Sequence, residues 1–155
     1  GGPALLVQAM RAMGEAGLPV LATSSAWESP AWPPGADQPR YTNAVAEIEF
    51  GGGDPQGLYA RLRSIEAGFG RERRERWGPR TLDLDILAVA DAVGDFGGVV
   101  LPHPRLHQRA FVLLPLAEIA PQWRHPASGE GIQALLWKLG AFGDIHRVAG
   151  LGGTA

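Results

Sequence analysis

The 155-residue sequence lacks cysteine, has a single lysine, and contains no apolar run approaching the roughly 20 residues of a membrane span. Without cysteine, disulfides, thiolate metal sites and a cysteine nucleophile are excluded. A formal net charge of -2 argues against wholesale polyanion binding. No basic segment followed by an apolar one begins the chain, so we expect no signal peptide, no membrane partner and a cytoplasmic protein. Its 45% hydrophobic and 19% charged residues are typical of one globular domain, expected to span residues 1–155.

Positive charge is carried almost entirely by arginine. Lys138 is the one lysine among 14 basic residues, and five arginines fall within ten positions. This run is either a solvated charged turn, as the interleaved Glu72 and Glu75 suggest, or a clamp whose guanidinium groups pair bidentately with phosphate. No P-loop is present, because FGGGDPQG lacks a following Gly-Lys-Ser/Thr, so phosphate binding would depend on arginine and metal. The five arginines are Arg71, Arg73, Arg74, Arg76 and Arg80.

Hydrophobic periodicity predicts alternating helices and strands. Residues 3–16 repeat apolar side chains at helical spacing, and residues 41–50 alternate as a strand does. Four prolines within residues 30–40 predict a long, stiffened loop. The pattern favours an α+β or α/β fold in two layers, with a helix pair packed on one sheet face. Further predicted segments are strands at 19–29 and 81–90, a short strand leading into a loop at 99–105, a helix from Pro55 to about Phe69, a partly helical 109–121 and a short helix within 132–140.

Two acids stand inside the apolar segment TLDLDILAVA. Because alternate side chains of a strand share a face, Asp83 and Asp85 would point the same way, while Leu82, Leu84 and Ile86 face the core. The acids are either the wet face of a half-exposed strand or ligands for a hard cation such as magnesium, held between carboxylates about 7 Å apart. The nearby arginines favour the second interpretation, because metal and arginine together stabilise phosphoryl transfer.

Histidine and aromatic side chains complete the candidate residues. His103 lies between two prolines that restrict its backbone, either in a surface turn or as a directed functional group. A flat heterocycle could stack between aromatic rings beside loops, and Asn43, two positions past Tyr41 on the same strand face, could read its polar edge. Ordinary packing is the alternative for each ring. The aromatic residues are Trp27, Trp32, Tyr41, Trp77 and Phe111.

Together these segments resemble the 6-hydroxymethyl-7,8-dihydropterin pyrophosphokinase family. The resemblance is carried by DQPRYTNAV, IEAGFGRERR, RWGPRTLDLDIL and LPHPRLHQRAFVLLPLAEIAP, and it runs from about Ser24 to about Pro121. It implies an α+β, ferredoxin-like two-layer sandwich with a mostly antiparallel sheet, helices on one face and long flexible loops. It also implies transfer of pyrophosphate from ATP to the hydroxymethyl group of 6-hydroxymethyl-7,8-dihydropterin, with two Mg²⁺ ions and release of AMP, in folate biosynthesis.

The same resemblance implies roles for individual residues. Asp83 and Asp85 would hold the two magnesium ions, and the catalytic set would add Arg71, Arg73 and Arg80. The residues implied on the ATP side are Glu66, Arg73, Trp77, Arg80, His103 and Arg109. The residues implied on the pterin side are Pro30, Trp32, Tyr41, Asn43, Trp77 and Phe111.

The sequence departs from the family pattern in three places. The loop GRERRERW is one residue shorter than the family form, which leaves the registry of Arg73 and Arg74 open. The family opens with a strand that is missing here, so either the sequence is part of a longer protein or the sheet is built differently. Arg63 stands where the resemblance predicts an uncharged polar residue. Two other functions stay open, a ferredoxin-like RNA-binding module and a non-catalytic relative that binds pterin or nucleotide. We expect ATP and the pterin as partners, no nucleic acid, and a monomer or weak homodimer.

Overall fold

A computed structural model describes residues 2–30, 40–76, 82–140 and 142–151, except for the side chains of 71–76. Every strand pair in these residues is antiparallel, so the predicted α+β class and mostly antiparallel pairing are confirmed. None of the described helices combines the length and apolar character needed to cross a membrane. The helices are α1 (Gly2–Glu15), α2 (Pro55–Arg76), α3 (Ala110–Ile119) and α4 (Ile132–Leu139), and the strands are β1 (Val20–Thr23), β2 (Ala26–Ser29), β3 (Tyr41–Asn43), β4 (Ala46–Ile48), β5 (Gly94–Phe96), β6 (Val99–Leu101) and β7 (His146–Ala149).

Helix α1 forms where the helical periodicity predicts it. Leu5, Ala9 and Met13 recur every four residues and are all buried. Gly17 follows the helix with a φ of +84°, and the Leu18 N–H donates to the Met13 carbonyl at 2.9 Å. This closure uses the left-handed backbone that glycine adopts without a Cβ penalty.

The two strands predicted at 19–29 and 41–50 form, but each is broken into two. Strand β1 pairs with β4, and β2 pairs with β3. Ser24, only 1% exposed, joins the halves: its N–H donates to the Val45 carbonyl at 2.8 Å, and its Oγ accepts the Val45 N–H at 2.9 Å. A serine side chain therefore replaces a ladder hydrogen bond where the pairing shifts.

Two short strand pairings are absent from the sequence predictions. Strands β5 and β6 form a hairpin across Gly97 and Gly98, whose φ values of +68° and +101° suit a tight turn. Strand β7 pairs with the free side of β2, and Arg40 ties this region together through Asp144 at 2.9 Å and Glu28 at 3.1 Å. Strands of three or four residues are too short to show a clear alternation.

Residues 82–89, called the acid segment below, were predicted as part of a strand, and that prediction is wrong in the described chain. The segment makes no ladder pairing with any described strand. Its backbone bonds go elsewhere: the Leu84 N–H and carbonyl bond to side chains of α2, and the Leu87 carbonyl accepts the His103 N–H at 2.8 Å. Strand character requires a hydrogen-bonded neighbour, and side chains take that place here.

Apolar clusters lie on opposite sides of the strands and the acid segment. Helices α1 and α2 pack against Ile48, Leu84 and Ile86, whereas α3 and α4 pack against Val45 and Leu87. Because neighbouring positions of an extended chain point to opposite faces, the two helix pairs cover opposite faces. This differs from the single helix-covered face predicted, and the ferredoxin-like arrangement stays a prediction.

Candidate active site

The acid segment presents its two carboxylates away from the α1–α2 side. Asp83 and Asp85 are exposed, whereas Leu84 and Ile86 pack against the α1–α2 side. Leu87, which shares the parity of the acids, packs against the cluster around α3 and α4. The alternation expected from the sequence therefore holds from Leu82 to Leu87, and both acids point away from the α1–α2 side.

Helix α2 contacts the backbone between the two acids. The Leu84 N–H donates to Glu66 Oε2, and Arg63 Nη2 donates to the Leu84 carbonyl. Arg63 and Glu66 also form an ion pair at 3.2 Å, and the Glu66 side chain is only 16% exposed. The structure thus brings Glu66 to the backbone of the acid segment, together with Arg63, which the sequence-based site did not include. The three-residue spacing on a helix was visible in the sequence, but a bond to a backbone carbonyl leaves no sequence pattern.

His103 lies beside the acid segment, held by its backbone bond to Leu87. Its Nδ1 accepts the Arg105 N–H at 3.1 Å, so the neutral ring carries its proton on Nε2. Burial lowers the pKa of His103 from its usual value, the charges of Arg109 and Arg105 lower it further, and Asp85 opposes them. The imidazole is therefore a neutral Nε2–H donor near one acid and two arginines.

At the N-terminal end of α3, Arg109, predicted on the nucleotide side, contacts Phe111, predicted on the pterin side. Arg109 stands at the helix N-cap, and its guanidinium carbon lies 5.6 Å from the centroid of the Phe111 ring. Phe111 is partly buried against the α3–α4 cluster. The cation lies over the ring at a distance typical of a cation–π contact, so the two side chains form one unit.

The predicted pterin-side residues of β3 lie next to a strand that is bonded to α3. Tyr41 and Asn43 share a strand face, and Asn43 lies opposite Trp27 of β2. From that face Trp27 Nε1 donates to Glu118 Oε1 on α3 at 3.0 Å. Tyr41 is 48% exposed. Pro30, also on the predicted pterin side, directly follows β2 and is exposed.

Part of the predicted site falls outside the description. Trp32, Trp77 and Arg80 lie outside the described residues, and Arg71 and Arg73 lie in α2 without described side chains. The described members of the site come from the end of β2, β3, α2, the acid segment, the loop after β6 and the start of α3.

The donor set fits a magnesium ion. Within the described residues no group of three or more histidine, cysteine, aspartate or glutamate side chains could hold a metal. Asp83 and Asp85 are exposed and make no hydrogen bond or ion pair in that part of the chain. Magnesium in phosphoryl-transfer sites usually takes one or two carboxylates, with water and substrate phosphate completing its shell. A pair of unengaged carboxylates suits that chemistry.

Paired acids next to arginine and a neutral histidine define a candidate site for phosphoryl transfer. The family model of 7,8-dihydro-6-hydroxymethylpterin-pyrophosphokinase (HPPK) matches residues 3–121. Because that match covers well over half of the sequence, the chain belongs to the HPPK family, as the resemblance had indicated.

Curated relatives support the same assignment. The chain is 43% identical over 121 residues to the 2-amino-4-hydroxy-6-hydroxymethyldihydropteridine pyrophosphokinase of Synechocystis sp., covering 78% of this chain and 60% of that protein. It is 42% identical over 132 residues to the enzyme of the same name from Methylorubrum extorquens, covering 85% and 80%. The enzyme of that name from Pseudomonas aeruginosa is 47% identical over 115 residues, covering 74% and 69%. The matched region thus spans 60% to 80% of the length of these relatives.

Proposed function

We propose that this chain transfers pyrophosphate from ATP to the hydroxymethyl group of 6-hydroxymethyl-7,8-dihydropterin and releases AMP in folate biosynthesis. One observation carries the proposal: the charges of the exposed Asp85 and of Arg109 both act on the pKa of His103, and the Arg109 guanidinium carbon lies 5.6 Å from the centroid of the Phe111 ring. The proposed phosphate-side groups therefore adjoin a proposed ring-binding residue. Family membership and the names of the relatives support the same reaction.

The proposed mechanism depends on positioning and electrostatics rather than covalent catalysis. Asp83 and Asp85 would hold two Mg²⁺ ions, which when bound neutralise charge on the ATP phosphates. His103 would donate its Nε2–H to a phosphate oxygen, and because the ring is kept neutral this donor persists without a second positive charge. Arg109, beside Phe111, would contribute a fixed cation between the nucleotide and the pterin.

The remaining roles follow the family resemblance. Charge building toward the AMP leaving group would be stabilised by arginines, and the pterin ring would be held between Tyr41 and Phe111 with Asn43 reading its polar edge. The proposed catalytic arginines are Arg71, Arg73 and Arg80. The other proposed nucleotide-side residues are Glu66 and Trp77, and the other proposed pterin-side residues are Pro30 and Trp32.

We propose small molecules as the partners, with no nucleic acid and no membrane, and a monomer or weak homodimer in the cytoplasm. The RNA-binding alternative is not favoured, because the chain belongs to the HPPK family and its net charge is slightly negative. A non-catalytic relative would bind the same ligands without releasing AMP, so turnover is the property to measure.

The test is release of AMP from ATP, with and without the pterin alcohol. We expect pterin-dependent AMP release that requires magnesium and falls at least about a hundredfold in Asp83→Ala and in Asp85→Ala, since each change removes a carboxylate proposed to hold the magnesium that neutralises the phosphates. Both variants should fold normally, because the two side chains are exposed and unpaired within the described residues.

Asp91→Ala is the matched control, since Asp91 is an exposed aspartate in the turn that follows the acid segment. Its activity should equal that of the unaltered chain. Full activity in either acid-pair variant would contradict the metal assignment. Nucleotide and pterin binding without AMP release would support the non-catalytic alternative.

A further inference from the structure

We propose that Arg63 and Glu66 of α2 form a clamp that fixes the backbone between Asp83 and Asp85 and so sets the geometry in which the pair binds metal. The inference rests on the proposed function, because it assigns these two residues as positioning residues for the same site. Neither side chain needs to touch the metal or the reacting phosphate for this role.

The clamp forms hydrogen bonds to both backbone polar groups of one residue, Leu84. Glu66 Oε2 accepts the Leu84 N–H, and Arg63 Nη2 donates to the Leu84 carbonyl. Leu84 is the residue directly between the two acids, and the acid segment has no ladder partner among the described strands. In that part of the chain, side chains of α2 therefore do for Leu84 what a neighbouring strand does elsewhere.

The clamp is itself held in place by its surroundings. Arg63 and Glu66 are one helical turn apart and form an ion pair at 3.2 Å. The Arg63 guanidinium carbon lies 4.7 Å from the centroid of the Tyr59 ring, also on α2. Charge-assisted bonds to a backbone N–H and carbonyl are among the stronger hydrogen bonds in proteins. A long helix thus offers a rigid support to the backbone between the two acids.

Fixing Leu84 fixes its neighbours, because the Cβ directions of Asp83 and Asp85 follow from the backbone dihedrals around it. In metal and phosphate sites, the side chains that contact the ligand must be held within about 0.5 Å of their productive positions. That precision depends on the residues that support those side chains. Loss of such supporting partners at metal sites commonly costs about 10- to 100-fold in affinity or activity. The clamp therefore predicts an effect on metal binding from a residue that does not contact the metal.

The test replaces the arginine with an apolar side chain of similar length and measures metal binding directly. We expect Arg63→Met to weaken Mn²⁺ binding about tenfold, titrated by electron paramagnetic resonance with a non-hydrolysable ATP analogue present. We expect kcat to fall by a similar factor with little change in the KM for pterin. Arg63→Lys, which keeps a cationic donor, should recover most of the loss.

Arg61→Met is the matched control. Arg61 lies two positions earlier on the same helix and also donates to a backbone carbonyl, that of Ala16 at the end of α1. Its variant should bind Mn²⁺ as the unaltered chain does. If Mn²⁺ binding weakens equally in Arg63→Met and Arg61→Met, the loss reflects general stabilisation of the fold and contradicts a specific clamp. Unchanged Mn²⁺ binding in Arg63→Met would also overturn the proposal.

Amide hydrogen exchange in the unaltered chain tests the clamp without depending on the folding of any variant. If Glu66 holds the Leu84 N–H, that amide should exchange with deuterium more slowly than the amides of Asp83 and Asp85, as followed by NMR. Equal exchange rates at the three amides would contradict the proposed clamp. Both readouts are independent of pterin turnover, so weak metal binding in Arg63→Met together with no AMP release in the unaltered chain would support the clamp and reject the proposed function.

Discussion

At the scale of single residues, the Glu118 carboxylate collects more hydrogen bonds than any candidate site residue in the described chain. It accepts the Ser25 N–H at 3.0 Å, the Ser25 hydroxyl at 2.6 Å and the Trp27 Nε1–H at 3.0 Å, and Arg147 lies 4.0 Å away. Burial alone would raise the pKa of Glu118, but these hydrogen bonds and the arginine outweigh it and hold the pKa below its usual value of 4.5. The ionised side chain therefore ties α3 to β2, the strand beside Tyr41 and Asn43.

This depressed pKa makes a pH-dependent prediction for Glu118→Gln. The stabilisation from the carboxylate is fully present above the unfolded-state pKa and is lost as pH falls through the lower folded-state pKa. We expect the variant to lose about 1–2 kcal/mol of unfolding free energy at pH 7, and the difference to shrink toward zero at a pH below the folded-state pKa. Urea unfolding at both pH values measures it. A deficit that stays constant with pH would show that charge is not the cause, and the exposed Glu47→Gln should change little at either pH.

At the scale of elements, Ser24 marks the point where the strand predicted at 19–29 breaks into β1 and β2. Its buried Oγ accepts the Val45 N–H at 2.9 Å and donates to the Ser25 carbonyl at 2.7 Å. Ser24→Ala leaves the Val45 N–H without this acceptor in a site that water does not reach, so we expect a loss of about 1–3 kcal/mol. Urea unfolding at pH 7 measures it. Ser64→Ala, on the exposed side of α2, is the control and should be neutral or slightly stabilising. A Ser24 variant as stable as that control would contradict the role given to the side chain.

The elements also show which features a sequence can predict. Helix α1 and the Pro55 start of α2 were predictable, because apolar spacing, Asp54 and proline act locally; the Gln56 N–H indeed donates to Asp54 Oδ1 at 3.1 Å. The exposure of the Asp83 and Asp85 side chains was also predictable, because alternate positions of an extended segment point to the same face. The break at Ser24 and strand β7 were not, since they depend on partners distant in the chain.

At the scale of the whole molecule, the candidate site draws on six separate parts of the described chain. The end of β2, strand β3, helix α2, the acid segment, the loop after β6 and the start of α3 each contribute residues, and the acid segment lies between two apolar clusters on opposite faces. A ligand that contacts several of these parts binds only the folded chain. Its binding free energy therefore adds to the unfolding free energy of the whole domain.

The last prediction uses this coupling to separate binding from folding. At about 100 times its Kd, a non-hydrolysable ATP analogue with magnesium should add about 2.7 kcal/mol, which raises Tm by about 5–10 °C in a domain of this size. In Asp83→Ala the unliganded Tm should stay within about 2 °C, because the removed carboxylate is exposed and has no partner among the described residues. The ligand-induced rise should largely disappear, whereas Asp91→Ala should retain it. Differential scanning fluorimetry measures both quantities, and a full rise in Asp83→Ala would mean that this acid does not hold the metal that carries the nucleotide.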